Sequence, residues 1–180
     1  MRTPRALLLA SACAGLGAGA AEPKSSKPSV SQNGIYEVRM VEPAKEVCRL
    51  EVLKENATLW QLEKCVGNAD DIYFISNDAS RFWVLKSTPE KPGPPKGKNK
   101  GTPWYQVPVA QLYDREGNLL QSKRLMDLVL PVDRAKVRQL GRHFIFLEGV
   151  GDIPGKRPRV NGAGQVEFEV TGTRTHKLNF

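Results

Sequence analysis

Apolar and polar residues alternate along much of the chain after residue 33. In segment 36–40, Tyr, Val and Met alternate with Glu and Arg, and segment 47–54 repeats the pattern. A period of two is typical of a strand with one buried face, because successive side chains of a strand point to opposite sides. The two segments therefore predict neighbouring β-strands, with Cys48 on the buried face of the second.

Two shorter segments, 72–75 and 82–85, are apolar at every position. The stretch between them, 76–81, is rich in Ser, Asn and Asp, which are common in turns. A strand that is apolar at every position buries both of its faces. These segments predict a hairpin of two central strands.

Later segments continue the strand pattern. The sequence predicts a hairpin around the turn at 114–118, a strand at 142–147 and a last hairpin over 165–180. Segment 58–66 fits either a helix or a strand, and we favour a strand. One short helix is expected near 131–140, because Pro131 suits a first helical turn and Gly141 a helix end.

The predicted fold is mainly β: antiparallel sheets folded as a sandwich or an open barrel, with one short helix near 131–140. Residues 34–180 are expected to form a single β-rich domain. Residues 22–33, rich in Pro, Ser and Lys, predict a disordered tether. Residues 87–103 contain five Pro, three Gly and four Lys and predict a long mobile loop.

The first 21 residues place basic residues before an apolar stretch that ends in small residues. This order is typical of a secretory signal peptide and predicts export to the periplasm, the outer membrane or the extracellular space. Ala18-Gly19-Ala20 fits ordinary cleavage. The alternative is a lipoprotein anchored through Cys13; it is disfavoured because Ala10, rather than Leu, stands three residues before that cysteine.

The cysteine count supports the export prediction. Removal of Cys13 with the signal leaves Cys48 and Cys65 as an even pair in a compartment that permits disulfides. A structural bridge is expected, since a redox-active pair usually has the spacing Cys-x-x-Cys.

The chain is basic, and the loss of Arg2 and Arg5 with the signal lowers its formal net charge only from +8 to +6. Positive charge outside the cytoplasm favours an anionic envelope component, or an acidic protein, over a specific nucleic acid. Membrane contact is expected to be peripheral or absent. The candidate contacts are the loop lysines and the aromatic pair that follows them, namely Lys91, Lys96, Lys98, Lys100, Trp104 and Tyr105. The alternatives are a solvated loop without a partner, and aromatic residues that anchor the loop to the sheet.

No catalytic or cofactor motif stands out in the sequence. His143 and His176 lie in different predicted strands, without metal-ligand spacing, and there is no Gly-x-Ser-x-Gly motif. No cofactor is expected. The sequence favours an exported, non-enzymatic binding or assembly module of a cell envelope. The alternative is a small secreted hydrolase whose site is assembled only in the fold.

Overall fold

The computed structural model describes residues 23–44, 46–93 and 102–180. Within these ranges the chain forms antiparallel sheets of five, four, three and two strands. The predicted fold class, a mainly β protein of antiparallel sheets, is confirmed. The predicted signal peptide over 1–21 lies outside the described residues.

The amino-terminal sheet has five strands. They are β1 (Lys24–Ser25), β2 (Ser29–Val30), β3 (Tyr36–Ala44), β4 (Val47–Lys54) and β5 (Ala57–Leu62). The order is β1-β3-β4-β5, and β2 also pairs with β3. The alternation read from the sequence is realised here: Val38, Met40, Leu50 and Val52 are buried on one face. The ambiguous segment 58–66 contributes the edge strand β5.

The second sheet has four strands in sequence order. They are β6 (Ile72–Ile75), β7 (Arg81–Leu85), β8 (Pro108–Asp114) and β9 (Leu119–Arg124). The predicted hairpin at 72–85 is confirmed, with Phe74 opposite Trp83. The expectation of two central strands was wrong for β6, which is an edge strand of its sheet. Its residues are nevertheless buried because other layers cover both of its faces.

The remaining elements are short. They are α1 (Leu125–Leu128), two 3-10 turns (Trp104–Gln106 and Pro131–Lys136), a hairpin of β10 (Arg138–Leu140) and β11 (His143–Ile145), and a sheet of β12 (Arg159–Val160), β13 (Val166–Val170) and β14 (Arg174–Leu178). The last predicted hairpin is thus confirmed as β13 and β14.

Two hydrophobic cores lie on opposite sides of the four-stranded sheet. The first core joins this sheet to the five-stranded sheet and includes Phe82 and Val84. The second includes Trp83 and Leu85, and it is closed by residues of α1, β11, β13 and β14. Neighbouring residues of β7 therefore enter different cores. The described residues form a layered β-sandwich with the four-stranded sheet in the middle.

The helix expected at 131–140 is shorter than predicted. A 3-10 turn covers Pro131–Lys136, and the following residues form β10 instead. The reason is pairing with β11, in which Gln139 lies opposite Phe144. Gly141, with φ of +58°, provides the turn of this hairpin rather than the end of a helix.

The expected disordered tether at 22–33 was wrong for its described part. β1 and β2 both pair with β3. Few apolar side chains are required, because the contacts are made by backbone groups and by serine hydroxyls. Ser26 is buried, and its Oγ accepts a hydrogen bond of 2.8 Å from the Met40 backbone N–H.

Replacing Ser26 with alanine is expected to lower the free energy of unfolding by about 1 to 3 kcal/mol, because the Met40 N–H would stay buried without its acceptor. Urea denaturation of the chain without residues 1–21 measures the change. Ser25→Ala is the control: Ser25 is exposed, and the Met40 carbonyl to which its hydroxyl donates also accepts from the Ser26 N–H, so stability should change by less than about 0.5 kcal/mol. Equal effects of both substitutions would contradict a specific role for the buried hydroxyl.

Candidate functional site

The disulfide lies at the rim of the first core. Cys48 on β4 is bonded to Cys65 in the segment after β5, with a Cα–Cα distance of 4.9 Å. Cys48 is 9% exposed and packs among core residues, as its strand position predicted. The predicted pairing is confirmed, and its location indicates a structural rather than a catalytic bridge.

The loop predicted over 87–103 is fastened at its amino-terminal end. The backbone N–H of Lys91 donates to the Arg142 carbonyl at 2.7 Å, and Pro89 accepts from the N–H of Phe144. The prediction of a mobile loop was therefore wrong for residues 87–91, which backbone hydrogen bonds hold against β11. Lys96, Lys98 and Lys100 lie outside the described residues.

Lys91 and the aromatic pair meet at the same hairpin. Lys91 Nζ donates to the Gly141 carbonyl at 2.8 Å. Trp104 packs edge-on against Phe144, with ring centroids 5.3 Å apart, and contacts Tyr105 in the same way at 6.2 Å. Trp104 thus anchors the returning end of the loop to the second core. From the sequence, this anchoring role was the alternative to ligand contact.

Arg134 adds a cation that the sequence reading did not single out. Its guanidinium lies 4.6 Å from the centroid of the Tyr105 ring, a distance typical of a cation–π contact. Its Nε is buried and has no hydrogen-bond partner within the described ranges. Buried N–H groups nearly always have a partner, so this unpaired donor is an exception.

We call the basic and aromatic residues around this hairpin the basic face. Its members lie at the base of the loop and on the segment that follows α1: Lys91, Trp104, Tyr105, Arg134, Lys136, Arg138 and Arg142. Three of its cations form ion pairs, each with at least one side chain more than half exposed: Lys136 with Asp133, Arg138 with Asp152 and Arg142 with Glu90. Exposed pairs contribute only about 0 to 1 kcal/mol, so an external anion can compete for these cations.

The basic face could have been found partly from the sequence. Segment 134–142 carries four Arg or Lys in nine residues, a local charge density comparable with that of the loop. No sequence signal indicates that segment 134–142 lies near Lys91 and Tyr105, because this proximity arises from the packing of β10 and β11 beside residues 89–91.

The two histidines lie apart and bond to backbone carbonyls. His143 Nδ1 is 3.2 Å from the Thr88 oxygen, and His176 Nε2 is 2.8 Å from the Leu128 oxygen. His176 also stacks on Phe168, and burial lowers the pKa of its imidazole. A hydrolase site would require a histidine bonded to a hydroxyl and a carboxylate. In the described ranges neither ring makes such a bond.

Two acidic residues, Asp78 and Asp114, stabilise turns by accepting hydrogen bonds from neighbouring residues. Asp78 accepts hydrogen bonds from the Ser76 hydroxyl and from the backbone N–H and hydroxyl of Ser80, and these bonds lower the pKa of its carboxyl to about 2. Asp114 accepts from the backbone and side chain of Asn118 in the same manner. Among the residues that the structure describes, no group of three or more His, Cys, Asp or Glu is arranged to hold a metal ion.

Within the same residues, no helix has the length and apolarity needed to cross a bilayer. Comparisons with protein-family models, curated proteins and solved structures find no significant match to this chain. The function must therefore be inferred from the chain's own residues.

Proposed function

We propose that this protein is an exported, non-enzymatic binding module of the cell envelope that holds an anionic component on the basic face. The observation that carries the proposal is the convergence of Lys91 and Arg134 with Trp104 and Tyr105 at the base of the lysine-rich loop. Cations beside partly exposed aromatic rings suit a ligand with anionic oxygens on an apolar or ring-shaped frame.

Export is supported by two independent features. The first residues of the chain have the order of a secretory signal. The Cys48–Cys65 bridge belongs to the kind that persists in oxidising compartments. A disulfide-bonded β-sandwich of this kind is compatible with a periplasmic or extracellular environment.

The ligand class follows from the charges. Lys91 and Arg134 have no acidic partner within the described ranges, and Lys96, Lys98 and Lys100 follow Lys91 closely in the sequence. Such a surface attracts phosphate, sulfate or carboxylate groups over several ångströms, and salt screens this attraction. Acidic polysaccharides and anionic lipid head groups share these groups.

Heparin, a soluble acidic polysaccharide, is the probe for this site. The mature protein is expected to bind heparin with an affinity that falls as salt rises, and calorimetry at several salt concentrations measures it. The double variant Lys91→Gln/Arg134→Gln should weaken binding about tenfold, the equivalent of about 1.4 kcal/mol. The triple variant Lys96→Gln/Lys98→Gln/Lys100→Gln tests the loop lysines separately.

Lys54→Gln is the matched control, because Lys54 is an exposed cation on the five-stranded sheet, away from the basic face. It should leave heparin affinity unchanged. Arg134→Lys keeps the charge but loses the planar stacking on Tyr105, and an intermediate affinity is expected. Equal losses for Lys54→Gln and for the double variant, or binding that does not respond to salt, would refute the proposed site.

A further inference from the structure

A cleft of about 470 Å³ lies between the amino-terminal segment 24–27 and the connection that joins β11 to β12. We call it the amino-terminal cleft. Segment 69–72 and Ser87 complete its lining, and residues 149–151 and 157–158 form the opposite wall. Its volume is within the range of small-molecule sites. Because segment 24–27 had been expected to be disordered, no sequence pattern indicated this cleft.

The floor of the cleft is held rigidly. The carboxylate of Asp71 is buried and accepts hydrogen bonds from Lys86 Nζ at 2.8 Å, from the Asn68 N–H at 3.0 Å and from the Ser87 N–H at 3.2 Å. These bonds satisfy Asp71 fully and tie segment 68–71 to the end of β7. The cleft therefore exists before any ligand enters it.

The opposite wall is also constrained by close packing. Gly149 has φ of +71°, and a Cβ at this position would lie 2.5 Å from the carbonyl carbon of Lys156. Only glycine permits this approach of the two backbone segments. The wall thus keeps Val150 and Arg157 at a defined position in the cleft.

The cleft has an apolar part. Ile72 and Val150 are partly buried and pack on the second core with one side, while they line the cleft with the other. Pro158 and Ala69 add further apolar surface. A second opening, of about 580 Å³ and lined by segments 28–32 and 158–162, adjoins the cleft at Pro158 and extends it along β2.

The charges around the cleft leave two cations available. Lys24 pairs with Asp70 at 2.6 Å, Lys86 neutralises the buried Asp71, and the carboxylate of Glu42 accepts a hydrogen bond of 2.7 Å from the Ala69 N–H at the edge of the cleft. Lys27 and Arg157 also line the cleft, and both are exposed without an ion pair to any described residue. The cleft therefore combines an apolar surface with an excess of positive charge.

We propose that the amino-terminal cleft binds an amphiphilic organic anion. Its carboxylate or phosphate group would lie between Lys27 and Arg157, and a short apolar body would contact Ile72, Val150 and Pro158. The charge-assisted hydrogen bonds fix the orientation of the ligand, and burial of its apolar part provides affinity. This site is separate from the basic face and does not depend on the function proposed for that surface.

Calorimetric titration of the mature protein tests the ligand class with four probes. Octanoate and octyl phosphate carry both features, 1-octanol has only the apolar chain, and inorganic phosphate has only the charge. Octanoate, octyl phosphate or both should bind about tenfold or more tightly than 1-octanol and inorganic phosphate. The better of the two amphiphiles identifies the preferred head group. Equal binding of 1-octanol, or no binding of either amphiphile, would overturn the proposal.

Variants locate the site. Lys27→Gln/Arg157→Gln should weaken binding of the amphiphile about tenfold, because it removes the two charge-assisted hydrogen bonds to the head group. Both residues are exposed, so folding should persist, as thermal denaturation can verify. Methyl NMR signals of Ile72 and Val150 should shift on binding to the wild-type protein.

Controls separate this site from the basic face. Lys54→Gln and Lys91→Gln/Arg134→Gln should both leave amphiphile binding unchanged. Loss of binding in the basic-face variant, with Lys27→Gln/Arg157→Gln unaffected, would assign the ligand to the basic face and overturn the proposal. If heparin binds but no amphiphile does, the proposal for the amino-terminal cleft is refuted, while the proposal for the basic face stands.

Discussion

Replacing Phe82 or Trp83 with alanine is expected to lower the free energy of unfolding by about 3 to 5 kcal/mol in each case. The two residues are neighbours on β7, and both side chains are fully buried. In a sheet with one solvated face, one of two successive residues would be exposed and tolerant. Two large and similar losses are therefore the signature of a sheet covered on both sides.

The two substitutions act in different cores. Phe82 stacks on Tyr113, with ring centroids 5.4 Å apart, and also contacts Trp60. Trp83 lies on the other side of the sheet, and its Nε1 donates to the Asn179 carbonyl at 3.0 Å. Alanine at position 82 would leave a cavity beneath the five-stranded sheet. Alanine at position 83 would leave one beneath β13 and β14 and also remove a hydrogen bond.

Urea denaturation monitored by circular dichroism measures both losses. Arg81→Ala is the control on the same strand, since Arg81 is exposed, and a change within about 0.5 kcal/mol is expected. Phe82→Leu and Trp83→Phe are milder variants that keep the comparison possible if an alanine variant does not fold. A loss confined to one of the two positions would contradict the layered arrangement.

Removing the disulfide is expected to cost about 3 kcal/mol, because the bridge closes a loop across 17 positions and restricts the unfolded chain. For a domain of this size the loss corresponds to a decrease in Tm of roughly 6 to 12 °C. The variant Cys48→Ala/Cys65→Ala removes both thiols, so no free cysteine remains to form wrong bridges. Differential scanning calorimetry of this variant and the wild-type chain measures the difference.

Chemical reduction provides the control for this prediction. In excess reductant, the Tm of the wild-type protein should fall close to that of the double variant, because both then lack the cross-link. The reduced wild type keeps its native side chains, so this comparison separates loss of the bridge from the effect of the substitutions. The reductant should leave the Tm of the double variant unchanged. If the double variant and the reduced wild type both had the Tm of the oxidised wild type, the bridge would not stabilise the domain.

Strand positions were largely readable from the sequence. The burial pattern of a strand is encoded in the strand's own residues. It is visible as a period of two in segments 36–40 and 47–54, and as continuous apolar runs at 72–75 and 82–85. The same reasoning missed β1 and β2 because their pairing uses backbone groups and buried serines. It also extended a helix over β10, whose residues are all exposed and whose pairing with β11 overrides the capping signals at Pro131 and Gly141.

The candidate sites were readable only in part. Lys91, Trp104 and Tyr105 were found because they are close in the chain. Arg134 reaches Tyr105 from 29 positions away, and no local pattern encodes that contact. Lys27 and Arg157 of the amino-terminal cleft are more distant still, and their separate segments meet only after the amino-terminal strands have paired.

The sequence alone determined the fold class, the disulfide partners and the basic character of the protein, because burial period, cysteine number and charge are local or additive properties. The layered order of the sheets, the assembly of the basic face and the amino-terminal cleft were decided by tertiary structure. Each depends on contacts between segments that are distant along the chain, and such contacts form only when both cores are packed around the four-stranded sheet.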